Sequence, residues 1–300
     1  MKYAYFPGCS AESTARDMHI SAMRVADVLG LELIEPRGWT CCGATAGHQT
    51  DRTLAVALSA ASLVKAKDMG LDMVVNCAAC YNRMKVANHE IVTDGRIREQ
   101  IADAVGRDYD GSVRVKHFVE VLLHDVGLDA LRDAIQRRLC GLKVACYYGC
   151  LLVRPADVTG FDDPENPTSL DSLVTVMGGE ALDWPYKVEC CGGGLAMSRT
   201  DIVVRLTESV LAMAAEAGAD CIATSCPMCQ INLDMRQKDI ARRTGRAFNM
   251  PIVYVTQLLG LCLGVEASRL GFEKLMVCPR NVLAAVGESG RHGRAGASMT

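Results

Sequence analysis

The sequence predicts an α/β protein of two similar halves, each with a parallel sheet, related by internal duplication. Two observations predict it. A five-cysteine pattern occurs twice along the 300 residues. In both copies, short apolar runs alternate with helical stretches, the rhythm of parallel βαβ layers. Ligands of such sheets gather at the carboxyl ends of the strands, and each motif cysteine is expected in a loop or just after a strand. The halves are therefore expected to be Rossmann-like.

The elements follow in order. Lys2 to Tyr5 reads as a strand, and Thr14 to Leu29 as a helix with Ser13 as N-cap and Gly30 as its stop. Leu31 to Ile34 is a strand ending before Pro36. Thr53 to Met69 is a helix capped by Asp51 and stopped by Gly70. Met73 to Asn76 is a strand leading into the first Cys-x-x-Cys, and Tyr81 to Ile91 is a helix. In the second half, Val144 to Tyr147 is a strand and Ser169 to Met177 a helix stopped by Gly178-Gly179. Ala181 to Asp183 is a short strand, and Asp201 to Ala217 a helix stopped by Gly218. Cys221 to Thr224 is a strand, Met228 to Arg243 one helix, and Ile252 to Val255 a last strand.

A linker is expected between about Gly106 and Gly141, with two short helical patterns. Residues 159–167 read as a structured loop. The chain then divides into repeats 1–140 and 141–281, and 282–300, small, polar and Gly-rich, is expected to be disordered.

Half of the residues are apolar and 22% are charged, with a formal net charge of −3. That balance lacks the basic footprint of a nucleic-acid binder. No apolar run reaches the roughly 18 residues of a membrane span, and Val253 to Val265 is short and interrupted. The first residues lack the pattern of a secretory leader. A cytoplasmic protein with no direct membrane insertion is expected.

Fifteen cysteines stand out. Secreted disulfide scaffolds are short and loop-rich, and clustered cysteines in a reducing compartment bind metal or do redox chemistry. The first half carries Cys9, Cys41-Cys42-Gly43 and Cys77-Ala78-Ala79-Cys80; the second carries Cys150, Cys190-Cys191-Gly192 and Cys226-Pro227-Met228-Cys229. The pairs and the Cys-x-x-Cys motifs recur at a separation of 149 residues, and Cys9 and Cys150 at 141. Phe6-Pro7-Gly8-Cys9 and Tyr147-Tyr148-Gly149-Cys150 match around the lone cysteine. Cys140, Cys146, Cys221, Cys262 and Cys278 lie outside the pattern and read as small core residues.

Thiolates are soft ligands that suit zinc and iron–sulfur clusters. A zinc site closes with four ligands, and a five-thiolate set with a vicinal pair overfills it. A cubane cluster takes four cysteines, so five suggest a larger or irregular cluster. The glycine after each pair permits a tight turn and a close approach of backbone to an inorganic core. Iron–sulfur binding is preferred over zinc and over a metal-free dithiol relay. Gly192-Gly193-Gly194 does not fit the dinucleotide fingerprint. There is no ferredoxin-type cysteine run, so electrons must come from a partner.

These residues resemble the CCG domain of the B component of heterodisulfide reductase and its relatives, from Tyr3 to about Gln257, with no motif cysteine missing. The resemblance implies two noncubane [4Fe-4S] clusters, each a three-iron and a two-iron unit sharing an iron and a sulfide. Cys9, Cys41, Cys42, Cys77 and Cys80 would hold one; Cys150, Cys190, Cys191, Cys226 and Cys229 the other. It implies a substrate pocket between the halves and a disulfide substrate like that of coenzymes M and B. It also implies two partners, a small ferredoxin-like iron–sulfur component as electron donor and a flavin-containing component behind it. Two one-electron centres beside one S–S bond suit a two-electron reduction, each delivering one electron and capturing one sulfur. A catalytic reductase subunit is therefore expected. The alternative is a non-catalytic electron-transfer subunit of a lactate-, glycolate- or sulfur-oxidation assembly. Arg16, His48, Arg83, Arg154 and Arg199 lie near motif cysteines in sequence and are candidates to position an anionic substrate. His48 is also a candidate proton donor.

Overall fold

The computed structural model describes residues 1–44 and 47–288. Its sheets repeat one topology. The first contains β1 (Lys2–Phe6), β2 (Glu32–Ile34), β3 (Met73–Val75) and β4 (Val115–His117) in the order β2-β1-β3-β4, all parallel. A short antiparallel pair joins β5 (Arg137–Leu139) to a C-terminal strand. The second sheet contains β6 (Lys143–Tyr147), β7 (Glu180–Ala181), β8 (Cys221–Thr224) and β9 (Ile252–Tyr254) in the order β7-β6-β8-β9, also parallel. The duplication read from the cysteines is thus a duplication of sheet order.

Helices cover these sheets, so β3, β6 and β8 run almost wholly apolar. The Arg52–Met69 helix starts where Asp51 accepts a bond from the Leu54 N–H at 2.8 Å, satisfying one of the free N–H groups of a helix end. It stops at Gly70, whose φ of 66° is costly for other residues. The Arg16–Leu29 helix stops at Gly30 in the same way, but its N-cap is Ala15 rather than Ser13, with no side-chain cap.

The halves share one unbroken core. Arg16–Leu29 of the first half packs on Val255–Cys262 of the second, where Ser21 Oγ and Thr256 Oγ1 bond at 2.7 Å. The apolar stretch at 253–265 is therefore a buried strand and helix at this joint.

Four expectations are corrected. The stretch 106–141 is no mere linker: it supplies β4, the fourth strand of the first sheet. The helix expected at 228–243 is two, Pro227–Met235 and Gln237–Thr244. Residues 282–288 are ordered: a helix spans Arg280–Ala284, and β10 (Val286–Glu288) pairs with β5. Residues 289–300 lie outside the described residues. Finally, Cys80 lies inside the helix Ala78–Thr93 rather than ahead of it, while Cys229 lies in Pro227–Met235, within the helix expected from Met228. Each Cys-x-x-Cys bridges a strand end and the first helical turn.

Candidate metal centre

In each half the order of the strands turns between the two central ones, β1 and β3 or β6 and β8. This is the switch point where open parallel sheets leave a crevice. The chain leaving β1 carries Gly8-Cys9 and that leaving β3 carries Cys77. β6 and β8 place Gly149-Cys150 and Cys226 in the same way.

The ten sulfurs are brought together. Cys42 Sγ lies 3.1 Å from Cys80 Sγ, and Cys191 Sγ 3.5 Å from Cys229 Sγ. Cys9 and Cys42 each act on Cys41, Cys80 acts on Cys77, Cys229 on Cys226 and Cys190 on Cys150, each shifting its neighbour's titration. The quintets also approach each other: across the joint between the halves, Cys226 raises Cys77 and Cys77 lowers Cys226. Cys42, Cys77, Cys80, Cys191, Cys226 and Cys229 are buried, Cys150 is half-buried, and Cys9, Cys41 and Cys190 are exposed.

Within the network some sulfurs become thiolates at their neighbours' expense. Hydrogen bonds from Cys42 and Cys9 hold Cys41 well below the usual thiol range. The bond from Cys150 brings Cys190 down to about 6. Cys226 is lowered by Cys229 and Cys77, helped by N–H groups of the helix that starts beside it. Cys42 is pushed up to about 12 by Cys41, and Cys9, Cys150, Cys77, Cys80 and Cys229 are raised as well. The backbone contributes in parallel: the N–H groups of Gly43 and Gly192 face Cys41 Sγ and Cys190 Sγ at 3.5 and 3.3 Å.

The glycines divide their work differently from expectation. Gly43 and Gly192 make the tight turn, with φ of 71° and 78°. An added Cβ there would strike the following helix, at Leu58 or at Leu206 and Val203, rather than a sulfur. Gly8 and Gly149 are the residues that let backbone approach sulfur. A Cβ on them would lie 3.5 Å from Cys80 Sγ and 3.0 Å from Cys229 Sγ.

Among the described residues, no three His, Cys, Asp or Glu side chains are arranged to hold one metal ion. The sulfurs instead run from contact to contact, a donor set of soft anions whose spread suits a polynuclear core better than a single tetrahedral ion. A cavity of about 60 Å³ lies against the second quintet, walled by Cys150, Cys190, Cys226 and Met228 and closed from the first half by Ala78 and Ala79. It is far smaller than the roughly 300–1,000 Å³ of a typical ligand pocket.

Of the positioning candidates, His48 and Arg83 meet in a cavity of about 110 Å³ with Arg52 and Glu90. Arg154 is paired with Glu165 and Arg199 with Asp201, and Arg16 opens its helix. Cys146, Cys221 and Cys262 are buried as expected, but Cys140 and Cys278 are exposed, so these two are not core residues.

Several supporting residues were not legible as such. Lys187 and Asp171 form a nearly buried pair at 2.8 Å, with side chains 6% and 17% exposed. Tyr148 donates its hydroxyl to Asp171, and the Tyr148 and Gly149 N–H groups bond to the Lys187 carbonyl. The loop carrying Cys150 is thereby tied to the segment carrying Cys190. Asn82 Nδ2 reaches across the joint to the Leu151 and Arg154 carbonyls. His117 and Tyr254 end β4 and β9, and each donates its backbone N–H to a side chain three residues on, Glu120 or Gln257. A second repeat would have found them: Val115-Lys116-His117-Phe118-Val119-Glu120 aligns with Ile252-Val253-Tyr254-Val255-Thr256-Gln257 at a separation of 137 residues.

Comparison with known proteins agrees with this geometry. The cysteine-rich CCG domain model matches residues 3–85 and 144–234. The chain is 31% identical over 273 residues to the 8-methylmenaquinol:fumarate reductase membrane anchor subunit of Wolinella succinogenes, covering 90% of this chain and 95% of that one. It is 30% identical over 291 residues to a protein of Archaeoglobus profundus that is like the B component of heterodisulfide reductase, covering 94% and 96%. It is 29% identical over 293 residues to the B component of the ferredoxin/F420H2-dependent CoB-CoM heterodisulfide reductase of Methanosarcina acetivorans, covering 96% and 97%. A crystal structure of a hypothetical protein from Helicobacter pylori superposes with a TM-score of 0.72 at 11% identity, over 92% of this chain and 52% of that one. The fold is thus shared by a protein about twice as long.

Proposed function

This chain belongs to the cysteine-rich CCG domain family, and from that premise we propose that it is the catalytic subunit of a heterodisulfide reductase-like complex. Its two quintets hold two noncubane [4Fe-4S] clusters, which when bound supply one-electron chemistry to a disulfide substrate. The observation that carries the reading is geometric: two topologically equivalent quintets at the switch points of two matching sheets, each with a close sulfur pair, Cys42–Cys80 and Cys191–Cys229. The relatives that are B components of heterodisulfide reductases, or like them, support it.

The chain's own residues have separable roles. Cys9, Cys41, Cys42, Cys77 and Cys80 hold one cluster, and Cys150, Cys190, Cys191, Cys226 and Cys229 the other. The six buried cysteines hold their sulfurs away from water, while Cys9, Cys41, Cys150 and Cys190 mark the edge open to approach. Gly43 and Gly192 N–H groups stabilise charge on Cys41 and Cys190. His48 and Arg83 line one cavity with Arg52 and Glu90 and are the groups assigned to position an anionic substrate. A small ferredoxin-like protein and a flavin-containing one would deliver the electrons. We place the complex in the cytoplasm. No helix among the described residues is long and apolar enough to cross a membrane.

A second reading, a non-catalytic iron–sulfur electron-transfer role, is favoured by the small size of the cavity at the joint and by the fumarate reductase relative. Iron and sulfide analysis of anaerobically purified protein, with an absorption spectrum, tests cluster binding. A colourless, iron-free, folded and active protein refutes both readings. Titration with candidate disulfides followed by EPR separates them: a perturbed cluster signal supports the catalytic role, and an unperturbed one supports electron transfer alone.

A further inference from the structure

The quintets are equivalent in topology but not in their surroundings. Thr224 Oγ1, Ser225 Oγ and Tyr254 Oη are buried hydroxyls with no hydrogen-bond partner among the described residues. Thr224 and Ser225 directly precede Cys226. Tyr254 ends the neighbouring strand β9, and the ionisable groups acting on it are Asp17, Cys226, Cys77 and Cys229. No hydrogen bond joins it to Asp17.

The matching positions of the first half hold no unpaired buried hydroxyl. Val75 stands in place of Thr224. Asn76 stands in place of Ser225 and donates Nδ2 to the Met18 carbonyl at 3.4 Å. His117 stands in place of Tyr254, its Nδ1 accepting from the Val119 N–H at 3.2 Å and its Nε2–H donating to the Asn76 carbonyl at 3.1 Å. Buried hydroxyls are rarely left unpaired, because desolvation is then uncompensated. Three such hydroxyls in the second half, two of them directly before Cys226, with no unpaired hydroxyl at the matching first-half positions, call for an acceptor that the protein itself does not supply. Sulfur of a bound anionic cluster is such an acceptor. A hydrogen bond donated to cluster sulfur favours the reduced, more negative state and raises the potential.

We propose that Thr224, Ser225 and Tyr254 are positioning residues that donate to the group held by the second quintet, and that they keep that site at a more positive potential than the first. Electrons reaching the pair then settle on the site of Cys150, Cys190, Cys191, Cys226 and Cys229. The inference rests on the reading that each quintet holds an iron–sulfur cluster.

The test uses the full chain, anaerobically reconstituted with iron and sulfide, as wild type, Tyr254→Phe, Ser225→Ala and, to assign signals, Cys150→Ser. Iron and sulfide per chain are measured first, then each cluster is titrated by EPR. For Tyr254→Phe the second-site midpoint falls, with the ratio of reduced to oxidised cluster at the wild-type midpoint about tenfold lower, equal to about 59 mV for one electron; the first-site midpoint stays. Ser225→Ala moves the same midpoint in the same direction. Unmoved potentials in an iron-loaded variant, or an equal shift at both sites, overturn the proposal. Unfolding gives a second readout. Tyr254→Phe leaves the iron-free chain as stable as wild type or more so, and makes the loaded chain less stable. A loss of stability in the iron-free chain would reveal a protein partner for the hydroxyl and overturn the proposal. A wild-type chain that takes up no iron overturns the cluster reading, and this inference with it.

Discussion

Gly149→Ala and Gly8→Ala are the same substitution at matched positions, and the structure assigns them different costs. Both residues have positive φ, 64° and 77°. An alanine there pays roughly 1–2 kcal/mol for the left-handed conformation alone. The new methyl then differs by half an ångström between the sites. On Gly8 it lies 3.5 Å from Cys80 Sγ, an ordinary contact; on Gly149 it lies 3.0 Å from Cys229 Sγ, and something must move. Cys229 is buried in a helix beside Cys191, so its sulfur has little room, and overpacking of this kind costs about 1–3 kcal/mol more. Gly8→Ala is therefore expected to lose about 1–2 kcal/mol and Gly149→Ala about 2–5 kcal/mol. Urea unfolding of the iron-free chain measures both. In reconstituted protein, Gly149→Ala is also expected to lose about half of the bound iron, because displacement of Cys229 disables only one quintet. Equal destabilisation of the two variants, with full iron content in both, would refute the argument that these glycines are there to admit sulfur.

Three further outcomes follow from the geometry. Lys187→Met leaves the Asp171 carboxylate without its cation and should cost about 3–5 kcal/mol in urea unfolding; retention of stability would show that the pair does not hold the Cys150 loop. Asp17 is raised to about 6 by burial, so the folded chain holds its proton between the ordinary carboxylate range and that value, and stability falls as pH rises through this window. Asp17→Asn should then stabilise by up to about 3 kcal/mol at pH 7 and by nothing near pH 3, and a pH-independent effect would contradict burial as the cause. Cys9→Ser and Cys150→Ser should each abolish turnover while sparing the spectrum of the other site, and full activity in either would argue against the paired centres.

Much of the fold was legible because its signals are local. Asp51 and Gly70 bracket the Arg52–Met69 helix as read, since capping and positive φ involve only neighbouring residues. The strand at Cys221–Thr224 coincides with its expected limits. Where the reading failed, tertiary structure had overridden a local pattern. Val115–His117 is a short strand inside a polar stretch, and it became one because β3 offers it an edge. Val286–Glu288 is ordered because β5 pairs with it. The Ala78–Thr93 helix begins three residues ahead of its expected start at Tyr81 and takes in Cys80, because no pattern of 3.6 residues marks a single helical turn.

By itself the sequence determined the cysteine quintets, their number and their duplication, because residue type and spacing travel with the chain. Only the tertiary structure decided that Cys77 and Cys226 act on each other across the joint, that Ala78 and Ala79 close the second site, and that three hydroxyls of the second half stand unpaired. Those facts depend on how two sheets pack against each other. Cys77 and Cys226 are separated by a whole sheet's length of chain, and nothing in the residues adjoining either one encodes their meeting.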